Sequence, residues 1–227
     1  MGIKQFFALA ALAVASTSQA AYVTIDEAAL DSIFSQTSFG NSRIDIRIGG
    51  VTQIVRPDLL AITTDAQVNT LFGLHSGGAN VVNFYFIDTI DSCSGFNVNI
   101  IGCGETPGND FVVESVWAAD NTVQAGGYSF GAQLLAHELG HNLGLNHRNG
   151  NNLMNPFING YGDLNATEVT AIRASSLVQQ DTAGFYILIN PVLIVRQALE
   201  VPEPGSLALV MAGLGLTVVL RRQRRAH

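Results

Sequence analysis

The chain of 227 residues is poor in positive charge and contains a single lysine, Lys4. It has only two cysteines, one tryptophan and six prolines, and its formal net charge is −7. Lys4 and four arginines lie in the two terminal segments, so residues 21–200 are more acidic than the whole chain. Proteins that bind nucleic acid or anionic lipid through a charged face need clustered lysine and arginine. We therefore expect no nucleic-acid partner.

The N-terminal segment, residues 1–20, has the pattern of a secretory signal peptide. Lys4 precedes an apolar run at residues 6–15, and the small-residue sequence Ser-Gln-Ala ends the segment. This arrangement predicts cleavage before Ala21. The alternative, a buried helix, would need a polar face, which the apolar run lacks.

The C-terminal segment combines three features. Pro-Glu-Pro at residues 202–204 precedes an apolar stretch at 206–220 and an arginine cluster at 221–225. The stretch is short for a membrane span of about 20 residues, although arginine side chains can extend it. Arginines after it favour a cytoplasmic C-terminus and an exported N-terminal part. Together these features resemble the PEP-CTERM sorting signal of Gram-negative bacteria.

This resemblance implies transient membrane association through residues 206–220. The protein would be anchored in the inner membrane until an exosortase cleaves it near the motif, and would then lie at the cell surface or in the extracellular matrix. A permanent transmembrane tail anchor is the alternative. The sequence thus predicts a signal peptide at residues 1–20, one domain at 21–200 and a sorting segment at 201–227.

Cys93 and Cys103 suit one disulfide, because an exported protein folds in an oxidising compartment. Closing so short a loop would stabilise the fold by roughly 2–3 kcal/mol on the chain-entropy model. A free thiol and a cysteine ligand to a metal are the alternatives.

One segment, which begins at His137, reads H-E-x-x-H-x-x-G-x-x-H. Residues four apart on a helix share a face, so His137 and His141 point their imidazoles at one place. Gly144 allows a left-handed exit from the helix, which returns His147 as a third ligand. Three ligands leave one position of a tetrahedral Zn²⁺ open, which is typical of a catalytic site. Glu138 can reach a water there without binding the metal.

The extended motif resembles that of the metzincin clan of zinc endopeptidases. Met154, in the sequence Leu-Met-Asn-Pro, is similar to the Met-turn beneath the metal, and this form most resembles the matrixin branch. Residues 163–177 match the position of that branch's closing helix. The close likeness covers about residues 129–177. The chain lacks the branch's propeptide with its cysteine, so latency by a cysteine switch is not expected.

The resemblance implies an α+β fold of the metzincin-like zincin type, with a twisted mixed sheet over a zinc-binding helix and a C-terminal closing helix. A strand upstream of the helix would border the cleft and pair with the substrate, and residues 112–117 are one candidate for it. Pro156 would wall the pocket for the side chain that follows the cut bond. Tyr161 could donate to the oxyanion, although a packing role is favoured.

The function implied is that of an exported zinc endopeptidase acting on a protein or peptide substrate. Glu138 would take a proton from a zinc-bound water as it attacks and pass it to the leaving amine. The alternatives are a cell-surface or matrix-binding module that retains the zinc site, and a narrow processing protease with a single partner substrate.

One Zn²⁺ is the expected cofactor. Asp88, Asp91 and Asp110 could bind Ca²⁺, but their spacing fits no calcium motif, and solvated loop carboxylates are favoured. His75 is interpreted as a loop histidine and not as a ligand of a second zinc.

Local patterns predict several elements. Capping residues open helices at Thr24, Thr64 and Ser129. Residues 43–48 alternate as a half-buried strand, and Gly49-Gly50 would turn it into a hairpin with residues 51–55. Further strands are expected at residues 81–87, at 111–117, and at 185–195 with an interruption at Asn190-Pro191.

Overall fold

The computed structural model describes residues 22–197, which form an α+β domain of five α-helices and nine strands. The helices are α1 (Glu27–Phe34), α2 (Asp65–Phe72), α3 (Ser115–Ala118), α4 (Phe130–Asn142) and α5 (Ala166–Ala174). The strands are β1 (Ile44–Ile48), β2 (Thr52–Val55), β3 (Ala61–Ile62), β4 (Val81–Ile87), β5 (Thr89–Ile90), β6 (Gly102–Gly104), β7 (Asp110–Glu114), β8 (Gln179–Asp181) and β9 (Gly184–Val195).

The main sheet is mixed and has the order β1-β9-β4-β7-β6, with β2 and β8 also paired to β9. β9 runs parallel to β1, β2 and β4, whereas β8 and β6 are antiparallel to their partners. β4 is buried along nearly its whole length, which agrees with its near-continuous apolar sequence. Because β9 lies between β1 and β4, the last strand of the domain is inside the sheet and not at its edge.

The predicted hairpin at Gly49-Gly50 is wrong. β1 and β2 both run parallel to β9, one after the other along the same edge of that strand. The backbone N–H of Gly49 donates to Ile189 O at 2.7 Å, so the chain continues along β9 instead of reversing. A long-range partner strand has overridden the local turn signal of two glycines.

The predicted interruption of the last strand is also absent, because β9 is continuous through Pro191. Gly49 bonds to Ile189 O, and Thr52 pairs with Val192. Pro191 therefore lies opposite the break between β1 and β2. Proline has no N–H to donate, but no strand in the described part of the chain lies opposite it at this break to accept one. The sheet therefore loses no hydrogen bond, and the strand tolerates the proline.

The strand expected at residues 111–117 ends early, since β7 stops at Glu114 and α3 follows it directly. β7 is also not at the edge of the sheet, because β6 pairs with it. Strand β6, which lies in a glycine-rich region, was not predicted. β6 contains Cys103, and the disulfide between Cys93 and Cys103 is formed as predicted.

Helix α4 begins as expected at Ser129, whose hydroxyl accepts from the N–H of Ala132. Thr64 caps α2 in the same way. The first helix begins two residues later than predicted, with Asp26 and not Thr24 as its cap. The closing helix α5 is shorter than the segment predicted for it and opens with a capping box made by Asn165 and Glu168.

Contacts divide the chain into two units, Met1–Arg196 and Gln197–His227. The predicted signal peptide, the apolar stretch at 206–220 and the arginine cluster lie outside the described residues. Within residues 22–197, no helix is long and apolar enough to cross a membrane.

Candidate metal centre

Helix α4 carries the first two histidines of the motif through the interior of the domain. Almost every residue from Gly131 to Asn142 is buried, and the apolar side chains include Leu134, Leu135 and Leu139. The buried Asn142 donates from its side chain to the backbone oxygens of Glu105 and Asp110, on either side of the turn between β6 and β7. The helix is thereby fixed against the edge of the sheet.

The three histidines converge on one point through their Nε2 atoms. The Nε2 atoms of His137 and His141 are 3.2 Å apart, those of His141 and His147 are 3.1 Å apart, and those of His137 and His147 are 3.3 Å apart. Burial decreases from His137 through His141 to His147, so the site opens to the surface. These residues form a group that could hold a metal ion.

Backbone carbonyls orient two of the rings. His137 Nδ1 donates to Leu153 O at 2.9 Å, and His141 Nδ1 donates to Leu145 O at 2.8 Å. A proton on Nδ1 leaves the Nε2 lone pair free for a metal. Burial lowers the pKa of His137 to about 4 and also lowers the pKa of His141. Both imidazoles are therefore neutral near pH 7, as metal ligands must be.

The third histidine follows a sharp exit from the helix. Gly144 has φ of 91°, the left-handed conformation that its position in the motif predicts. The next residue after His147, Arg148, donates to both carboxylate oxygens of Glu168, at 2.8 and 3.1 Å. Glu168 also caps helix α5, so the closing helix supports the segment that carries His147.

Met154 is fully buried and packs against Gly140, between the first two histidines along the helix. A side chain at Gly140 would lie 2.5 Å from the sulfur of Met154. The backbone just before this methionine accepts the hydrogen bond from His137. The predicted Met-turn residue is thus in contact with the helix that carries the histidines.

Glu138 has its side chain in a buried space between α4 and β6. Burial raises the pKa of Glu138 to about 8, and no neighbouring charge or hydrogen bond offsets that effect. Gly102 and Gly104 make this space, because a β-carbon at either position would meet the carboxylate. Strand β6, which was not predicted, is therefore the strand beside the candidate base.

The remaining predicted residues lie on the segment after Met154. Pro156 is exposed, as is the neighbouring Phe157. The backbone of Tyr161 bonds to the side chains of Gln133 and Asn159. The roles predicted for Pro156 as a pocket wall and for Tyr161 as an oxyanion donor stay predictions.

The other polar candidates are separate from the histidines. His75 Nδ1 lies 3.0 Å from a carboxylate oxygen of the buried Asp110, in agreement with a loop histidine that has a partner. Asp88 lies 3.4 Å from Arg196. Among residues 22–197, the three histidines form the one group with the geometry to hold a metal ion, and the calcium site stays without support.

Three residues that shape the surroundings of the site were not predicted. Gly102 and Gly104 leave room for the carboxylate of Glu138, and the side chain of Gln133 bonds to the segment after Met154. The pattern Gly-Cys-Gly at residues 102–104 was the available signal, because glycines that alternate along a strand mark a close approach on one face. Gln133 was a weaker signal, as the one polar residue among the apolar residues and glycine that precede His137 in helix α4.

A family model for the PEP-CTERM protein-sorting motif matches residues 200–225. The motif indicates export, sorting in Gram-negative bacteria and recognition by an exosortase at the C-terminus. No curated protein and no solved structure matches the chain.

Proposed function

We propose that this protein is an exported zinc-dependent endopeptidase with a metzincin-like catalytic domain. The observation that carries the proposal is the arrangement of three Nε2 atoms 3.1–3.3 Å apart, with the buried carboxylate of Glu138 on the same helix. Ligands about 2.0–2.1 Å from a tetrahedral Zn²⁺ lie roughly 3.3 Å from one another. The spacing of the three nitrogens therefore fits zinc without rearrangement.

The donor set supports the same choice. Three imidazole nitrogens suit zinc better than calcium or magnesium, which prefer oxygen ligands. Bound zinc would polarise a substrate carbonyl and acidify a water in its open position. Glu138 then holds the proton as the water attacks and delivers it to the leaving nitrogen. Because burial raises the pKa of Glu138 to about 8, its carboxylate holds a proton taken from the water more firmly than an exposed carboxylate would, and it can still release that proton near neutral pH.

Strand β6 is the place that we propose for the substrate. It pairs with β7 along one edge, and no strand of the described residues pairs with its other edge. An extended peptide can add to such an edge through main-chain hydrogen bonds. Because Gly102 and Gly104 of this strand contact the carboxylate of Glu138, a peptide lying there would pass close to the base. We therefore propose β6 in place of residues 112–117 as the strand that borders the cleft.

The test uses the exported domain, residues 21–200, with its disulfide formed. We expect it to cleave several members of a peptide library, and expect a chelator to remove this activity and added zinc to restore it. Glu138→Ala should keep zinc, measured by elemental analysis, and lose hydrolysis, because the ligands remain while the base is gone. Cleavage by Glu138→Ala at the wild-type rate would contradict the mechanism.

The same experiment distinguishes the alternatives. Zinc binding without cleavage of any peptide or protein would favour a binding module, and cleavage of one protein but no library peptide would favour a narrow processing protease. Failure of the wild-type domain to bind zinc would overturn all three.

A further inference from the structure

Gln133 is a fully buried polar residue of helix α4 that lies one turn before His137 on the same face. Its amide nitrogen donates to Asn159 Oδ1 and to Tyr161 O, both at 3.0 Å. Its amide oxygen accepts from the backbone N–H groups of Asn159, at 2.7 Å, and of Gly160. A glutamine amide has two donor hydrogens and two acceptor positions, so all of them are directed at three consecutive residues.

The segment after the Met-turn is consequently attached to α4 at both of its ends. At the start, His137 Nδ1 donates to Leu153 O at 2.9 Å. At the end, Gln133 bonds to residues 159–161. Between the two attachments lie Pro156 and Phe157, and Phe157 is 79% exposed. We call residues 155–161 the wall loop.

A glycine turn holds the other side of the wall loop. The N–H of Gly126 donates to Asn159 O and that of Tyr128 donates to Gly160 O, both at 3.1 Å. A side chain at Gly126 would overlap the backbone at Gly160 and Tyr161. The loop thus lies between this turn and α4, and Gln133 is its link to the helix that carries His137 and His141.

We propose that Gln133 is a positioning residue, which fixes the wall loop relative to the metal centre and thereby sets which side chain is accepted after the cut bond. The selectivity part rests on the proposed endopeptidase function, whereas the attachment of the loop does not. An apolar side chain at this position would leave the N–H groups of Asn159 and Gly160 and the carbonyl of Tyr161, which are buried or partly buried, without these partners. Such groups are costly to bury, so the loop would open more often.

The test compares Gln133→Met, which keeps the length of the side chain, with Gln67→Met. Gln67 also ties a helix to a loop through its amide, by bonds to Asp58 O and Thr63 N, and it is in α2. Hydrogen exchange of the wall loop should accelerate by about tenfold or more in Gln133→Met and stay unchanged in Gln67→Met. Exchange in β4 and the zinc content should match wild type in both.

The second measurement is kcat/KM for peptides that differ only in the residue after the cut bond. The ratio of kcat/KM between the best and worst peptide should fall by about tenfold in Gln133→Met and persist in Gln67→Met.

If Gln133→Met does not fold, Asn159→Ala takes its place, since it removes one partner of the Gln133 amide. Unchanged exchange of the loop overturns the attachment, and faster exchange with unchanged selectivity overturns the specificity role. A wild-type domain without peptidase activity refutes the proposed function, and the exchange experiment still decides the attachment.

Discussion

Gly102 of strand β6 and Glu138 of helix α4 fit together because the glycine has no side chain. A β-carbon at position 102 would overlap Glu138 Oε1 and lie 2.8 Å from its Cδ. Gly104, two residues along the same strand, would place a β-carbon 3.3 Å from Oε2. The edge strand thus lies closer to the carboxylate than a side chain at position 102 would allow.

Gly102→Ala should therefore displace the carboxylate of Glu138 and reduce peptide hydrolysis by at least about tenfold, because small misplacements of a reacting group are costly. Zinc content should not change, since the atoms nearest to the new methyl group belong to Glu138 and not to a histidine. Gly50→Ala is the matched control, because a β-carbon there meets no atom within 4 Å. Equal kcat/KM values for the two variants would show that the contact has no catalytic importance.

Metal binding should stabilise the folded domain, since the unfolded chain lacks the preformed site. At a zinc concentration of about 1,000 times Kd the gain is about 4 kcal/mol in unfolding free energy. His141→Ala should lose most of this gain and the bound metal together, because two imidazoles do not replace three. Thermal unfolding of both proteins with zinc and with chelator measures the difference. A wild-type melting temperature that zinc does not raise would contradict the metal centre.

The metal-free domain should show a pH dependence that originates at Glu138. Burial raises the pKa of this carboxyl from 4.5 to about 8, so between these values the folded protein keeps a proton that the unfolded chain releases. The unfolding free energy therefore falls as the pH rises through this window, by at most about 1.4 kcal/mol per unit. Glu138→Gln removes this dependence.

Urea unfolding of chelated wild type and Glu138→Gln between pH 4.5 and 8 checks this prediction. The variant should gain stability relative to wild type as the pH rises. His137 has its pKa lowered to about 4 by burial, which makes stability fall as the pH drops below 6.5. This effect is common to both proteins and cancels in the comparison. A constant difference between the two would contradict the assignment to Glu138.

The histidine group was predictable from the sequence because its geometry is local. The spacing of His137 and His141 follows from the helical repeat, and Gly144 determines the turn that returns His147. The capping hydroxyl of Ser129 likewise acts on the N–H of a residue only three positions away. Such relationships depend on neighbouring residues, so a short stretch of sequence contains them.

The strand pairing was not predictable, because it depends on residues far apart in the chain. β1 and β2 pair with β9, and nothing in residues 43–55 identifies that partner. The contact between Gly102 and Glu138 has the same character, since it exists only after β6 pairs with β7 and α4 packs beneath them. Hydrophobic patterns show which face of a strand is buried, but they do not show which strand lies beside it.

The position of β9 determines where the C-terminal segment can be removed. Val192–Val195 pair with β2, and β4 pairs with β9 as far as Leu193. Residues 196–199 separate this strand from the matched sorting motif at 200–225. A chain that ends at Gly205 should therefore fold as the full chain does, whereas one that ends at Pro191 should not, because it leaves β2 and the end of β4 without their partner residues in β9. Circular dichroism and urea unfolding of the two chains measure the difference.

Processing at the motif is expected to produce the first of these two chains. The sorting motif predicts that the native protein loses residues 206–227 and ends between Pro202 and Gly205. In a host without the sorting enzyme the chain should keep these residues and stay in the membrane fraction. The two outcomes differ in covalent structure, so intact mass distinguishes them where topology does not. Arg221 to Arg225 still attached to the mature native protein would favour the permanent tail anchor.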